Sequence, residues 1–274
     1  MHSGVAGTAA AARTRTKHSL RFDSVRRIQL LTEDFASVAG HDTGVSHALV
    51  REVGAGRQPE TLRLHHTGDI VAFGKHDTIT PGYSNAVAAS IAHGFTPIER
   101  LAGGRAAVFH TGTLAFAWAI PADDPRNGVT SRFTEIATLL TEALRSVGVD
   151  AHIGEIPGEY CRGAYSIHVE HRVKLVGIGQ RLIRGAAHVG GVISVSDGWR
   201  IRDVLEPVYG ELGLDWTPST AGAIDDFVSR VSVDSVRRAV IDAFSSRFEV
   251  APASMPQAIV QAGLELAPSH ISPS

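Results

Sequence analysis

Residues 158–185, GEYCRGAYSIHVEHRVKLVGIGQRLIRG, contain the cysteine of the chain and a pattern typical of paired strands. Apolar and polar residues alternate on both sides of Glu170 and His171, and this alternation predicts a β-hairpin. The hairpin is predicted without the support of an Asn-Gly or Asp-Gly turn. Because successive side chains of a strand point to opposite faces, Lys174 is expected to face away from its two apolar neighbours.

The sequence on either side of this hairpin alternates between helix-like and strand-like segments. Helices are predicted where apolar residues recur at helical spacing, and strands where they alternate or run together. The predicted helices lie at 42–54, 84–94, 131–148, 202–212 and 234–244, and the predicted strands at 61–65, 70–73, 95–98, 106–110, 113–120 and 190–196.

Several of these strands come in hairpin-like pairs, one of them around Thr67–Asp69. This order differs from the strict strand–helix alternation of a doubly wound sheet, and it predicts an α+β fold with a mixed or mostly antiparallel central sheet flanked by helices. No internal repeat or linker divides the sequence. We therefore expect one catalytic domain over residues 21–264, between tails at 1–20 and 265–274.

Composition and charge exclude several classes of protein. Of the 274 residues, 43% are hydrophobic and 20% are charged, which is typical of a folded globular protein. The net charge of -2 gives no global attraction to nucleic acid or to a membrane surface. The chain has one cysteine and no apolar run of about 18 residues, so we expect a cytoplasmic location. The N-terminal segment lacks the apolar core of a secretory signal, although its composition also imitates an organelle transit peptide.

Two residues in residues 158–185 are candidates for chemistry. Cys161 lies in a polar loop bounded by glycines. A thiol must be ionised to attack a carbonyl, and a cationic neighbour, for which Lys174 and Arg162 are the candidates, favours the ionised form. Lys174 lies in an apolar run, where an ammonium group needs a partner or a polar site. The alternatives are a buried structural cysteine and a lysine in solvent on an edge strand.

Glycines and histidines supply the other candidates. Gly103 and Gly104 form either a simple turn or a loop whose backbone N–H groups meet a ligand. They are not part of a P-loop, because no Gly-Lys-Ser/Thr follows. The fourteen histidines show no HExxH spacing, and the chain has no nucleophile-elbow motif, so we predict neither a metal site nor a serine hydrolase.

Three segments carry a resemblance to a known family. RLAGGRAAVFHTGTLAFAWAI at 100–120, KLVGIGQR at 174–181 and VAFGKHD at 71–77 resemble motifs of the biotin/lipoate protein ligase and octanoyltransferase superfamily. The likeness runs from about residue 42 to about residue 215. It implies the class II synthetase-like catalytic fold of that superfamily.

Within the superfamily, residues 159–185 are most similar to the cysteine-dependent amidotransferase branch. That resemblance implies a nucleophile at Cys161 and the family lysine at Lys174. It also implies a substrate-binding group that consists of Arg100, Gly103, Gly104, Arg105, Ala106, Gly177 and Gln180. Apolar residues at Val108, Leu114 and Val176 are expected to line a tunnel for the acyl tail.

The sequence departs from the family pattern at several positions, namely Ala102, Arg162, Arg172, Phe116 and Arg105. Arg105 replaces the third glycine of the ATP-using ligases, where a bulky side chain crowds a nucleotide. This departure favours acyl transfer without ATP or any other cofactor.

The implied activity is a protein acyltransferase that moves an octanoyl or lipoyl group through a cysteine thioester onto a lysine of a lipoyl-accepting domain. The implied partners are the glycine cleavage H protein or a 2-oxoacid dehydrogenase E2 domain, with acyl carrier protein as another donor. The basic group formed by Arg172, Arg181 and Arg184 could meet such an acidic domain. The alternatives are an ATP- and Mg-dependent lipoate-protein ligase, a non-catalytic acyl-binding module and a thiol hydrolase.

Overall fold

The structure is a computed structural model that describes Met1 and residues 25–273. Apart from Met1, the tail predicted over residues 1–20 lies outside the described residues. Within the described range the strands are β1 Arg27–Leu31, β2 Thr61–His65, β3 Ile70–Phe73, β4 Thr96–Glu99, β5 Ala107–Phe109, β6 Thr113–Pro121, β7 Ala151–Ile153, β8 Ile167–Val169, β9 Val173–Ile183, β10 Ala186–Ser194 and β11 Glu249–Pro252. The helices are α1 His41–Gly54, α2 Lys75–Thr78, α3 Tyr83–Ala92, α4 Val129–Ser146, α5 Gly198–Glu211, α6 Val233–Ser245 and α7 Gln257–Leu266.

Most strands of the described residues belong to an eight-stranded sheet with the order β11-β1-β2-β6-β10-β9-β8-β7. The pairings of β1 with β11 and β2 are parallel, and all others in this sheet are antiparallel. A smaller sheet has the order β4-β3-β5. The predicted α+β class with a mostly antiparallel central sheet is confirmed.

The hairpin predicted around Glu170 and His171 is formed by β8 and β9. Both turn residues adopt left-handed backbone angles, with φ of 52° and 53°, which is the geometry of a type I′ turn built without glycine. The β8–β9 register shifts near His168, so that Leu175 is an extra residue on β9. This bulge lets Lys174 and Gly177 share one face of the sheet although they are three positions apart.

The prediction of a β-hairpin around Thr67–Asp69 was wrong. Strand β2 pairs with β1 and β6 in the large sheet, whereas β3 pairs with β4 and β5 in the small one. Every residue of both strands is buried, so their apolar patterns carry no information about which strands they pair with. The chain crosses between the two sheets at this point, and a space opens between them.

Helices cover both faces of the large sheet. On one face, α4 and α6 enclose the main core, and the predicted apolar stripe of α4 lies there through Ile136, Leu140 and Leu144. On the other face, α1 packs against α7. The C-terminal residues pack against the small sheet, where His270 bonds the Glu99 carbonyl at 3.0 Å. In the described residues no helix is long and apolar enough to cross a membrane.

A buried ion pair joins β2 to the start of α1. The Arg63 guanidinium contacts the Asp42 carboxylate and also donates to the Glu33 carbonyl at 2.9 Å and to Ser46 Oγ at 3.3 Å. Arg63 is fully buried and Asp42 is 6% exposed. The pair therefore locks α1 against the large sheet at a place where neither charge can be solvated.

We expect Arg63→Met to lower the free energy of unfolding by about 3–5 kcal/mol, because it leaves the Asp42 carboxylate buried without its cation. Equilibrium unfolding in urea measures this loss. Arg57→Met is a matched control, because Arg57 pairs with Glu52 at the exposed end of α1. Its loss should be far smaller, and equal losses for the two variants would contradict the assignment.

Candidate active site

Cys161 lies on the loop between β7 and β8, at the edge of the large sheet. Its backbone has a φ of 44°, a left-handed conformation that residues other than glycine rarely adopt. Two side chains hold this conformation: the Tyr209 hydroxyl accepts a hydrogen bond from Cys161 N at 2.9 Å, and Lys174 Nζ donates to Cys161 O at 2.8 Å. The loop therefore depends on residues from α5 and β9.

Lys174 is buried beneath this loop. Its ammonium group also donates to the Tyr160 carbonyl at 3.0 Å and lies 3.7 Å from Glu159 Oε2. Burial lowers the pKa of Lys174, although the Cys161 thiolate and the Glu159 carboxylate raise it in part. The alternative that Lys174 lies in solvent on an edge strand is excluded, since the side chain is 1% exposed.

Glu159 is a site residue that sequence reasoning missed. One carboxylate oxygen accepts hydrogen bonds from Gly163 N and Ser166 Oγ, each at 2.9 Å, and so ties together the two ends of the loop that contains Cys161. Burial raises the pKa of Glu159, and the Lys174 charge opposes that rise. A buried lysine needs a nearby carboxylate, and this requirement was the signal in the sequence that pointed to Glu159.

The Cys161 sulfur faces the Gly103–Gly104 loop. Arg105 N donates to Sγ at 3.3 Å, and Arg100 Nη1 lies 3.6 Å away. A Cβ atom at Gly104, whose φ is 115°, would lie 2.8 Å from Sγ, so only glycine fits there. The functional interpretation of this loop, in which backbone N–H groups approach a reacting group, agrees with this geometry.

Two cations act on the thiol. Burial of the sulfur raises its pKa, but Arg100 and Lys174 lower it by more, helped by the Arg105 N–H. The pKa of the Cys161 thiol consequently lies below its ordinary value. Of the two candidate cations, Lys174 acts on the thiol and Arg162 does not: the Arg162 side chain is exposed, whereas Arg100, which was not a candidate for this role, reaches the sulfur from the end of β4.

The other predicted substrate-binding residues are divided between the site and its surroundings. Gly177 lies beside the Lys174 side chain, and the Ala106 carbonyl accepts a hydrogen bond from Tyr209 at 3.0 Å. The Arg105 side chain turns away to pair with buried Asp77 at 3.1 Å.

Gly103 and Gln180 meet through their backbones. Gly103 N donates to the Gln180 carbonyl at 3.3 Å. The Gln180 side chain binds Arg132 and the Val129 carbonyl, at 2.8 Å and 3.1 Å. It lies on the opposite face of β9 from Gly177 and Gly179, so the structure does not bring it to the thiol.

Two cavities lie in this region. The thiol cavity is bounded by Cys161, Lys174, Gly177 and Tyr160, together with residues that it shares with its neighbour. The distal cavity lies between the two sheets, and Cys161 is not among its lining residues. Both are lined by Arg100, Phe109 and Gly191, so they meet at these residues.

The expected tunnel residues Val108, Leu114 and Val176 do not line either cavity. They are buried in the hydrophobic cores, because the cavity is lined by residues on the opposite faces of the same strands. On β5, for example, Phe109 lines both cavities in place of Val108. In the described residues no three histidine, cysteine or acidic side chains are arranged to hold a metal ion.

The lipoyl protein ligase A/B catalytic domain model matches residues 41–245. The chain belongs to this family. The match covers the small sheet, the large sheet apart from β1 and β11, the Cys161 loop and Lys174, and the family resemblance expected from the motifs is thereby confirmed.

Relatives within the family are octanoyltransferases by name. The chain is 28% identical over 169 residues to octanoyl-[GcvH]:protein N-octanoyltransferase of Geobacillus kaustophilus, covering 62% of this chain and 59% of the relative. It is 29% identical over 181 residues to the protein of the same name from Bacillus velezensis, covering 65% and 62%. The chain thus matches about three fifths of the length of these relatives.

Solved structures of the family share the fold. A structure from a study of a bipartite lipoate protein ligase and its E2 lipoyl domain from Thermoplasma acidophilum superposes with a TM-score of 0.70 at 19% identity and covers 89% of this chain and 92% of that one. Lipoate-protein ligase A bound with ATP gives a TM-score of 0.70 at 20% identity, with coverages of 89% and 94%. At this identity the likeness establishes the lipoate-ligase fold.

We expect the alkylation rate of Cys161 by iodoacetamide to rise with pH through a midpoint below that of an ordinary cysteine, because nearby cations favour the thiolate. Arg100→Gln should move this midpoint to higher pH, because burial raises the pKa of the thiol and the variant lacks one of the two cations that lower it. Alkylation followed by mass spectrometry from pH 5 to pH 10 measures both midpoints. Arg162→Gln is the matched control and should leave the midpoint in place; an upward shift in that variant instead would refute the assignment to Arg100.

Tyr209→Phe should lower the free energy of unfolding by about 1–3 kcal/mol, because Cys161 N and Ala106 O both lose a buried partner. It should also slow alkylation of Cys161 at pH 7, since the loop no longer holds the sulfur against Arg105 N. Thermal unfolding and alkylation kinetics check the two effects. Tyr165→Phe, on the same loop, is the control that should change neither.

Proposed function

We propose that this chain is an acyltransferase that moves an octanoyl or lipoyl group through a thioester on Cys161 to the lysine of a lipoyl-accepting domain. The observation that carries the proposal is the position of Cys161 Sγ, held by the Arg105 N–H and the Arg100 guanidinium beside a cavity that continues between the two sheets. The names of the relatives from Geobacillus and Bacillus support the octanoyl substrate.

In the first step of this reaction the Cys161 thiolate attacks the carbonyl carbon of the donor amide. A carbon–sulfur bond forms, the carbon–nitrogen bond breaks, and the departing lysine amine takes up a proton equal to the one the thiol gave up. In the second step the amine of the acceptor lysine attacks the thioester. A carbon–nitrogen bond forms, the carbon–sulfur bond breaks, and the proton that the amine loses is equal to the one that returns the sulfur to a thiol. Covalent catalysis divides one amide exchange into two easier transfers.

The residues around the sulfur have separate tasks in this scheme. Arg100 and Lys174 favour the thiolate, and Glu159 and Tyr209 hold the loop in the strained conformation that presents it. The Gly104 N–H makes no hydrogen bond to the described part of the chain, and in this scheme it is the proposed donor to the oxyanion of the tetrahedral intermediate. The acyl tail would extend from the thiol cavity into the distal cavity.

Arg105 supports a reaction that requires no ATP or other cofactor. Its side chain stands where the ATP-using ligases resembled in sequence have a third glycine, and the Asp77 ion pair fixes it there. Its backbone N–H is directed at the sulfur. These contacts favour acyl transfer over adenylation of the acyl group. The experiment below therefore also tests for ATP-dependent ligase activity.

The proposed donor and acceptor are lipoyl-type domains. The names of the relatives specify GcvH, which we take as the glycine cleavage H protein, and the structural neighbour from Thermoplasma is described together with its E2 lipoyl domain. Acyl carrier protein has no comparable support. The proposed setting is the cytoplasm, where a lone catalytic thiol stays reduced.

Incubation with octanoylated H protein in the absence of ATP should give an octanoyl adduct on Cys161, because the thioester forms before any acceptor binds. Intact-mass spectrometry detects the adduct, peptide mapping places it, and hydroxylamine should remove it. Cys161→Ala is the matched control and should stay unmodified. Octanoyl-acyl carrier protein is the comparison donor.

An absence of adduct from either donor would overturn the proposal if lipoyl-domain acylation appeared only with ATP and free octanoate. That result would establish the ligase. Release of free octanoate with no transfer to a lipoyl domain would instead indicate a thiol hydrolase.

A further inference from the structure

The far end of the distal cavity is polar, although the cavity is the proposed site of an acyl tail. His65 from β2, His188 from β10, and Asp42 and Ser46 from α1 line it. His65 is 4% exposed and His188 is 5% exposed. Among the described residues, His65 Nδ1 and Asp42 Oδ2 are buried without a hydrogen-bond partner.

These groups present a defined set of donors and acceptors. Burial lowers the pKa of His188 to about 3 and that of His65 well below its ordinary value, so both rings are neutral at pH 7. A neutral imidazole offers one donor and one acceptor. Asp42 Oδ1 is engaged by Arg63 and by Phe35 N, which leaves the Oδ2 acceptor free. The set therefore favours a ligand group that can donate a hydrogen bond.

Small residues connect this polar end to the thiol. Gly177 on β9, Gly190 on β10 and the alanines Ala115 and Ala117 on β6 occupy the sheet face between the two ends. Ala115 lies opposite His65 on β2. The three strand-to-strand steps from β9 to β2 span about 14 Å at the usual spacing of about 4.8 Å. That span matches the length scale of a medium-chain acyl group.

We propose that the distal cavity selects acyl chains whose far end carries a hydrogen-bond donor, the dihydrolipoyl group being the chemical class, over the methyl-ended octanoyl chain. The inference rests on the proposed acyl transfer and specifies which of its substrates this chain prefers. A methyl end cannot form hydrogen bonds with the His65 and His188 rings or with Asp42, which weakens binding of the octanoyl chain by roughly tenfold relative to a polar-ended chain. A thiol or hydroxyl at that end pairs with these groups.

Binding of free acids to the wild-type chain tests the preference without requiring any turnover. Isothermal titration calorimetry would compare octanoate with ω-hydroxyoctanoate, which differs by one oxygen, and with dihydrolipoate kept reduced by a phosphine. We expect both polar-ended acids to bind about tenfold more tightly than octanoate, and equal binding of the three acids would contradict the selection. In a purely apolar cavity the added hydroxyl would weaken binding about tenfold or more, and that result would overturn the inference.

Variants assign the preference to the cavity end. His65→Leu should weaken ω-hydroxyoctanoate relative to octanoate by about tenfold, while His65→Gln, which keeps a hydrogen-bonding group, should retain the wild-type order. His66→Leu is the matched control, because His66 is the neighbouring residue and does not line the cavity. An unchanged order in a folded His65→Leu variant would contradict the assignment.

The same preparations separate this inference from the proposed function. A Cys161 adduct from octanoylated H protein, without any binding preference for polar-ended acids, would sustain the transferase and refute the cavity selection. A preference that disappears in His65→Leu, without any Cys161 adduct, would sustain the selection and refute thioester transfer.

Discussion

The buried Lys174 ammonium group is the interaction on which the rest of the site depends. It donates to the carbonyls of Tyr160 and Cys161 and lies near the Glu159 carboxylate, so a single side chain fixes the loop backbone and supplies charge beneath the sulfur. An ammonium group in this position is tolerated only because these oxygens replace its water. The β-bulge at Leu175 turns Lys174 to that face while its neighbours stay in the core.

The two sheets contribute different parts of the site. The large sheet supplies Lys174, the glycines of β9 and β10 and the floor of both cavities, whereas the segment after β4 brings Arg100 and the Gly103–Gly104 loop to the sulfur. The crossing from β2 to β3 separates the sheets and creates the space between them. The Tyr209 hydroxyl then joins the Cys161 loop to Ala106, so the two halves cannot move independently.

Family membership and the local geometry answer different questions. The family match accounts for the fold and for the motifs that surround Cys161 and Lys174. The relatives' names point to octanoyl transfer, and the Arg105–Asp77 pair supports the proposal that this chain acts without ATP. The polar lining around His65 and His188 is a property of this chain's own residues, and it bears on which acyl group fits.

Local periodicity and short motifs were enough to predict five of the helices and the β8–β9 hairpin, whereas α2 and α7 were not predicted. The strand partners of β2 and β3 could not be predicted, because both strands are buried throughout and carry no alternating pattern that assigns their sheets. The spacing of Cys161 and Lys174 made their proximity plausible, but the contact itself depends on tertiary packing, as do the approach of Arg100 rather than Arg162 to the sulfur and the orientation of Gln180 away from it. The tertiary structure also brought Glu159 to Lys174 and His65 to His188, because contacts between distant segments depend on how strands and loops pack together.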